Sequence, residues 1–367
     1  MAPPPRRVLV DALNVLGSRP DGWWRDRPAA VTALVAAVDA WCARTGAQAT
    51  VVVDGARRPY GAPVLARVVT ADGPDPSRRD AADDTIVALL QRDRDPGAVT
   101  VATSDGGLRE RATALGARVV GARTFRERVD GDPLVAVTSA RDPRVARAVA
   151  LLRAEDPEER VVALEDADVI AEATALGARP GLLLGGRDGA PLADDARRAL
   201  GVLGQAADVV ALVPRPAAPD PGELPAGALV LVGVRDAGNV GTIVRTALAL
   251  GRPRVLLDEG CASPWSRRAL RAAAGATLAP GLVARGADLA TLAAVPARPA
   301  LAAAVPRGGV RPEELPAGTV VVLGSEQRGL SDEEIACCDH TVTIPAGGFE
   351  SLNVAAAAAI LGYATRR

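Results

Sequence analysis

Ile344-Pro-Ala-Gly-Gly-Phe-Glu-Ser-Leu-Asn-Val-Ala-Ala-Ala-Ala-Ala-Ile-Leu-Gly-Tyr363 decides how the C-terminal third of this chain is read. A strand-like Thr341 to Ile344 precedes a Pro/Gly loop, the loop carries Glu350, Ser351 and Asn353, and an alanine-rich helix follows at once. Such a helix start presents free backbone N–H groups and the positive end of the dipole to an anionic or electron-rich ligand. Ser351 is expected to cap the helix, and the small side chains behind it suit close packing. Taken alone, the same residues fit an ordinary capped helix on a turn equally well.

Two glycine-bearing strand-to-helix turns lie upstream. Leu229 to Val234 is an apolar strand that runs into Arg235-Asp-Ala-Gly-Asn-Val-Gly-Thr-Ile-Val-Arg245. Gly238 and Gly241 are expected to permit a tight turn there, with Arg245 reaching back from the helix to a ligand held by the loop. Val320-Val-Val-Leu-Gly-Ser-Glu-Gln-Arg-Gly-Leu-Ser331 is a buried strand followed by a turn in which Gly324 and Gly329 leave the backbone open to a planar ligand. Ser331 and Glu334 have the spacing of a capping box, so part of this motif serves helix initiation. Between the two turns, Val255-Leu-Leu-Asp258 begins another strand–helix unit, and Ser266 to Ala276 is an arginine-bearing helix.

With these three pieces in order, residues 226–367 resemble a SpoU-type (TrmH-like) methyltransferase of the SPOUT superfamily. The matching motifs are Asn239-Val-Gly-Thr-Ile-Val-Arg245, Leu323-Gly-Ser-Glu-Gln-Arg-Gly-Leu-Ser331, and Ile344-Pro345 through Glu350-Ser-Leu-Asn353. Ser325 stands where the family usually has Asn, Gln327 where it has Gly, and Ala273 where it has Ser. The resemblance implies methyl transfer from S-adenosylmethionine to a ribose 2'-hydroxyl of structured RNA (tRNA or rRNA), by a homodimer whose cofactor lies in a C-terminal trefoil knot. By motif, Asn239, Arg245, Glu326, Ser351 and Asn353 are the implied catalytic set, and Leu323, Gly324, Ile344 and Leu352 the implied cofactor contacts. A guanidinium keeps its proton at any working pH, so Arg245 is read as a phosphate ligand that stabilises developing charge rather than as a base.

Composition bounds the rest. A chain of 367 residues suggests two or three domains. Apolar residues make up 49% of it but aromatics only 2%, which argues against single-strand binding by base stacking. Basic and acidic residues number 43 and 44, so there is no global electrostatic footprint of a nucleic-acid binder, although a local arginine face remains open. One histidine, His340, and four cysteines without metal-ligand spacing exclude a histidine triad or zinc site. The first apolar run is broken at Asp11, too short for a signal sequence or membrane span, and a cytoplasmic protein with no membrane partner is expected.

In residues 1–132, Arg7-Val-Leu-Val-Asp11, Val51-Val-Val-Asp54 and Val99 to Asp105 each read as a buried strand ending in an acidic residue, with helices between them. That alternation predicts a parallel sheet whose strand ends bring the carboxylates to one edge. Converged carboxylates suit Mg²⁺ or Mn²⁺, which can activate water for phosphodiester hydrolysis; each Asp alone also fits a strand end or helix cap. Val10-Asp-Ala-Leu-Asn14, Val53-Asp54, Ala82-Asp-Asp-Thr-Ile86 and Thr103-Ser-Asp-Gly-Gly-Leu108 resemble the NYN branch of the PIN-like nucleases. That resemblance implies a metal site of Asp11, Asp83 and Asp105, supported by Asn14, Asp54 and Asp84.

Residues 133–225 read as a small α/β domain and linker, bounded by Asp130-Gly-Asp-Pro133 and Pro214 to Pro221. Its opening, Thr138 to Arg147, resembles the RNA-binding domain that precedes many SpoU-type catalytic domains. Arg141, Arg144 and Arg147 are spaced for phosphate contacts or for a solvated face. The expected fold is therefore α/β throughout: an N-terminal PIN-like parallel sheet, a small α/β middle domain, and a C-terminal SPOUT domain with a trefoil knot. The leading function is RNA 2'-O-methylation. The alternatives are a metal-dependent ribonuclease with the SPOUT half as an RNA-targeting dimer module, or a non-catalytic RNA-binding protein.

Overall fold

Short runs of Val, Ala and Leu, punctuated by Asp, Gly and Asn, lay down alternating strands and helices along the chain. The computed structural model describes residues 7–19, 22–55, 58–71, 81–153, 159–201, 206–345 and 352–366. They divide into two compact units, one of Met1–Ala154, Glu158–Ala163 and Pro180–Pro214, the other of Glu155–Pro157, Leu164–Arg179 and Arg215–Arg367.

In the first unit, β1 (Arg7–Asp11), β2 (Gln48–Asp54), β3 (Arg67–Ala71), β4 (Val99–Ala102) and β5 (Arg118–Val120) form a sheet in the order β3-β2-β1-β4-β5. Every pair is parallel. The crossovers carry α1 (Ala12–Gly17), α2 (Arg27–Thr45), α3 (Ala81–Arg92), α4 (Gly106–Ala114) and α5 (Ala122–Gly131). Asp11, Asp26 and Asp105 cap α1, α2 and α4, their carboxylates accepting from the N–H groups of Asn14, Ala29 and Leu108. The core is mainly aliphatic, with Tyr60 at its edge and Trp41 and Phe125 meeting edge to face at 5.5 Å.

Residues 133–225 contribute to both units. Helix α6 (Pro143–Arg153) and a three-stranded sheet of β6 (Val161–Glu165), β7 (Leu182–Gly185) and β8 (Val209–Pro214) follow, in the order β6-β8-β7 with β7 and β8 antiparallel. Helix α7 (Ala167–Ala175) lies in the second unit and α8 (Asp194–Leu200) in the first. Arg144, on α6, does not face solvent. It is 1% exposed, pairs with Asp142 at 2.8 Å, and donates to the carbonyls of Ala43 and Val135 at 3.1 and 2.9 Å. Arg147 donates to the Val64 carbonyl at 3.2 Å and pairs with Glu159 at 2.7 Å. These two arginines hold the first unit together instead of offering themselves to phosphate.

The second unit is built on β9 (Leu229–Leu231), β10 (Val255–Leu257), β11 (Val283–Arg285), β12 (Leu301–Ala304), β13 (Val320–Leu323) and β14 (His340–Val342). Their order is β11-β10-β9-β13-β12-β14, parallel throughout. Leu231 pairs in register with both Leu257 and Leu323, so three neighbouring strands end level and their following loops emerge side by side. Helices α9 (Ala237–Ala249), α10 (Arg267–Ala273), α11 (Leu289–Ala293), α12 (Asp332–Ala336) and α13 (Val354–Ala364) complete the unit. Gly238 and Gly241 lie inside α9 rather than in a turn. A Cβ on Gly241 would sit 2.2 Å from the Ala269 carbonyl oxygen, so this glycine is what lets α10 pack against α9. Among the described residues no helix is long and apolar enough to cross a membrane. All four cysteines are free thiols.

Candidate active site

The loops after β12, β13 and β14 and the first turns of α13 enclose a cavity of about 1000 Å³ in the second unit. Leu323, Gly324, Ile344 and Leu352 all line it, as do Glu326 and Asn353. The small volume of Gly324 has an internal cause: its Cβ would meet the Gly329 carbonyl carbon at 2.4 Å, where the loop folds back and the Gly329 N–H donates to the Ser325 carbonyl at 2.9 Å. Close return of the loop, more than open backbone, requires glycine at 324.

Asn239, in the first turn of α9, bridges the other two motifs. Its Nδ2 donates to Glu326 Oε1 at 3.0 Å, and its Oδ1 accepts from Asn353 Nδ2 at 3.2 Å. Glu326 also accepts from the backbone N–H groups of Arg235 and Asp236 at 3.4 and 3.3 Å. Asn353 in turn is the cap of α13, its Oδ1 accepting from the N–H groups of Ala355 and Ala356 at 2.9 and 3.3 Å. One unbroken chain of hydrogen bonds therefore runs from the β13 loop through the start of α9 to the start of α13. The cap expected at Ser351 belongs to Asn353; Ser351 and Glu350 lie outside the described residues.

Against this geometry stand the likenesses to known proteins. The SpoU rRNA Methylase family profile matches residues 227–363. These residues belong to that family. An uncharacterized tRNA/rRNA methyltransferase of Synechocystis sp. is 34% identical over 151 residues, covering 38% of this chain and 52% of that protein. The 23S rRNA (guanosine(2553)-2'-O)-methyltransferase RlmP of Bacillus subtilis is 31% identical over 141 residues, 38% of this chain and 57% of its own length. The chain thus spans little more than half the length of these curated relatives. An AdoMet-bound rRNA methyltransferase from Sinorhizobium meliloti superposes with a TM-score of 0.52 and 26% identity, covering 63% of this chain and 97% of that one.

Within the SpoU domain, burial alone would raise the Glu326 carboxyl. The amide of Asn239 and the N–H groups of Glu326, Asp236 and Arg235 outweigh it and hold the group below the usual glutamate range, so it is a carboxylate at neutral pH. Arg245 is not gathered with the others. It is exposed on α9 and does not line the cavity. Six residues of helix separate it from Asn239, a rotation of about 240°, which puts the two on different faces. Two participants carried no sequence signal strong enough to single them out. Asp236 caps α9 by accepting from the Asn239 N–H at 2.9 Å and pairs with Arg268 at 2.8 Å; its position just before a helix was the available hint. Arg307 lines the cavity from the β12 loop, where no pattern marked it.

The carboxylates of the first unit behave differently. Asp11 is buried and accepts from Thr103 Oγ1 at 2.9 Å and the Asn14 N–H at 3.2 Å. Asp54 accepts from the Ala82 N–H at 2.8 Å, Asp105 caps α4, and Asp84 pairs with Arg111 at 2.7 Å. Asn14 accepts from the Ser104 N–H at 2.7 Å. Asp83 sits in the first turn of α3, and Asp80 lies outside the described residues. Among the described residues no group of three or more His, Cys, Asp and Glu side chains is placed to hold a metal ion. The expected site of Asp11, Asp83 and Asp105 is not among such groups. The strand ends do reach one edge, where Asp11, Asp54 and Asp105 each accept a backbone N–H hydrogen bond.

Proposed function

We propose that this protein transfers a methyl group from S-adenosylmethionine to a ribose 2'-hydroxyl of tRNA or rRNA. The observation that carries the reading is the Glu326–Asn239–Asn353 chain, which joins three motifs distant in sequence beside one large cavity. The donor set suits the cofactor. Leu323, Ile344 and Leu352 supply apolar walls, the Gly324 loop supplies backbone groups, and the volume is at the upper end of the range for small-ligand sites. When bound, S-adenosylmethionine supplies an electrophilic methyl on a sulfonium.

The protein's own part is positioning. Glu326 and Asn353 hold Asn239 in one rotamer, and the amide and carboxylate edges left over orient a ribose hydroxyl. Arg245, exposed and away from the cavity, is read as a ligand for RNA phosphate, placed where a partner subunit or the RNA itself comes against α9. We further read the domain as knotted and the protein as a homodimer. The packing of α13 against α9 and the exposed apolar Leu352, Ile360 and Tyr363 support this. We read residues 1–132 as an NYN-type (PIN-like) domain that contacts RNA without cleaving it, since no three of its described acidic side chains are placed to hold a metal ion.

Purified protein with radiolabelled S-adenosylmethionine and bulk RNA tests the main reading, followed by digestion to nucleosides. Label on 2'-O-methyl nucleosides is expected; no cofactor binding by calorimetry would sink it. Manganese-dependent RNA cleavage that disappears in Asp105→Asn would overturn the non-cleaving reading of the first unit.

A further inference from the structure

Beside the site, a second concavity of about 490 Å³ is lined by Ala237, Ser266, Arg267, Arg268 and Arg271. Three arginines within five positions of one short helix repel one another at i,i+3 and i,i+4, so helix stability does not account for them. Two have carboxylate partners: Arg267 pairs with Glu165, and Arg268 with Asp236 at 2.8 Å. Yet the Arg268 side chain is still 71% exposed, which leaves most of its five N–H donors to solvent. Arg271 is exposed and has no ion pair among the described residues.

The concavity is physically continuous with the Asn239 chain. Asp236 pairs with Arg268 through one carboxylate oxygen and accepts from the Asn239 N–H with the other. Its own backbone N–H donates to Glu326 at 3.3 Å. Arg268 lies so close over the first turn of α9 that a Cβ on Gly238 would come within 3.4 Å of its Nε. A planar guanidinium presents paired donors that match a phosphodiester, and two of them on one wall of a hollow make a grip for a polyanion backbone.

We propose that Arg268 and Arg271 seat the RNA backbone in this hollow and so deliver the ribose to Asn239 and Glu326. This assignment rests on the methyl-transfer reading and adds to it the surface that recognises phosphate. Arg268 also steadies Asp236, and with it the start of α9, so occupation of the hollow bears directly on the site.

The test measures anisotropy of labelled bulk tRNA and rRNA fragments against full-length protein without cofactor, over a salt series, with S-adenosylmethionine affinity read separately by calorimetry. Arg271→Glu is expected to weaken RNA binding at least tenfold. Removing one arginine–phosphate pair should lower the slope of log K against log salt by about 1, so Arg268→Gln with Arg271→Glu lowers it by about 2. Arg271→Lys should keep most of the affinity, and cofactor affinity should stay unchanged in both Arg271 single variants. RNA affinity and slope at the parent level in Arg271→Glu would overturn the proposal. So would joint loss of cofactor and RNA binding, which makes α10 a structural support. Failure of the methyl-transfer reading looks different: the parent protein itself then binds no cofactor.

Discussion

The two units of this chain follow one architectural rule and put it to different ends. Each is a parallel α/β sheet that carries polar residues to the C-terminal ends of its strands, where ligands of such sheets are usually bound. In the second unit those residues bond to one another: Asn239 to Glu326, and Asn353 to Asn239. In the first they bond mostly to nearby backbone, Asp11 to Asn14, Asp54 to Ala82, and Asp105 to Leu108. Strand-end placement therefore does not make a site. What separates the two is that in the second unit side chains from three motifs bond to one another beside a cavity, whereas in the first they bond mainly to backbone N–H groups and a hydroxyl.

That contrast can be broken most forcefully at Arg144. If the buried polar groups of the first unit are structural, Arg144→Ala leaves Asp142 and three carbonyls short of donors. It should then cost about 3–5 kcal/mol. Hydrogen exchange should show amides of the first unit opening while those of β9 to β14 keep their protection. Asn239→Ala should do the reverse. Methyl transfer is expected to fall about 10²- to 10³-fold, the range for removing one well-placed polar group, with denaturant midpoints unchanged. A variant that melts early would place Asn239 with the structural groups instead.

Glycines give a smaller pair of opposed effects. Gly241→Val drives a side chain into the Ala269 carbonyl and should destabilise the second unit by about 1–3 kcal/mol, read by urea unfolding. Gly106→Ala, at the first position of α4 with nothing within 4 Å of the new Cβ, should be neutral or stabilise by up to ~1 kcal/mol.

Ionisation distinguishes the units last. Burial raises the Asp11 carboxyl, with Asp54 and Asp105 adding to the push against hydrogen bonds from Asn14 and Thr103. A carboxyl raised in the folded state costs stability when ionised. Asp11→Asn should therefore raise the melting midpoint near pH 7, by about 2–4 °C for each kcal/mol recovered. The gain should fade as pH drops through the raised value and vanish below about pH 4, where parent Asp11 is protonated folded or unfolded. Glu326 runs the other way. Its depressed carboxyl keeps the network charged at neutral pH and loses that contribution only as pH falls below the ordinary range near 4.3. An NMR titration of the Asn239 side-chain amide should show its midpoint on the acid side of that value.

The sequence by itself determined the alternation of strands and helices, the capping box at Ser331 and Glu334, and the three motifs that supply Asn239, Glu326 and Asn353. Those features depend on neighbours within about four residues or on residue types a motif states outright, and such signals survive in one dimension. Tertiary structure alone decided that Asn353 caps α13, that Arg144 is buried, and that Arg245 stands apart from the cavity. It also decided that Gly241 serves helix packing and that Asp11 is buried with its oxygens on Asn14 and Thr103. Each of these turns on strand register or on which distant backbone a side chain meets, and long-range packing of that kind leaves no local trace in the order of residues.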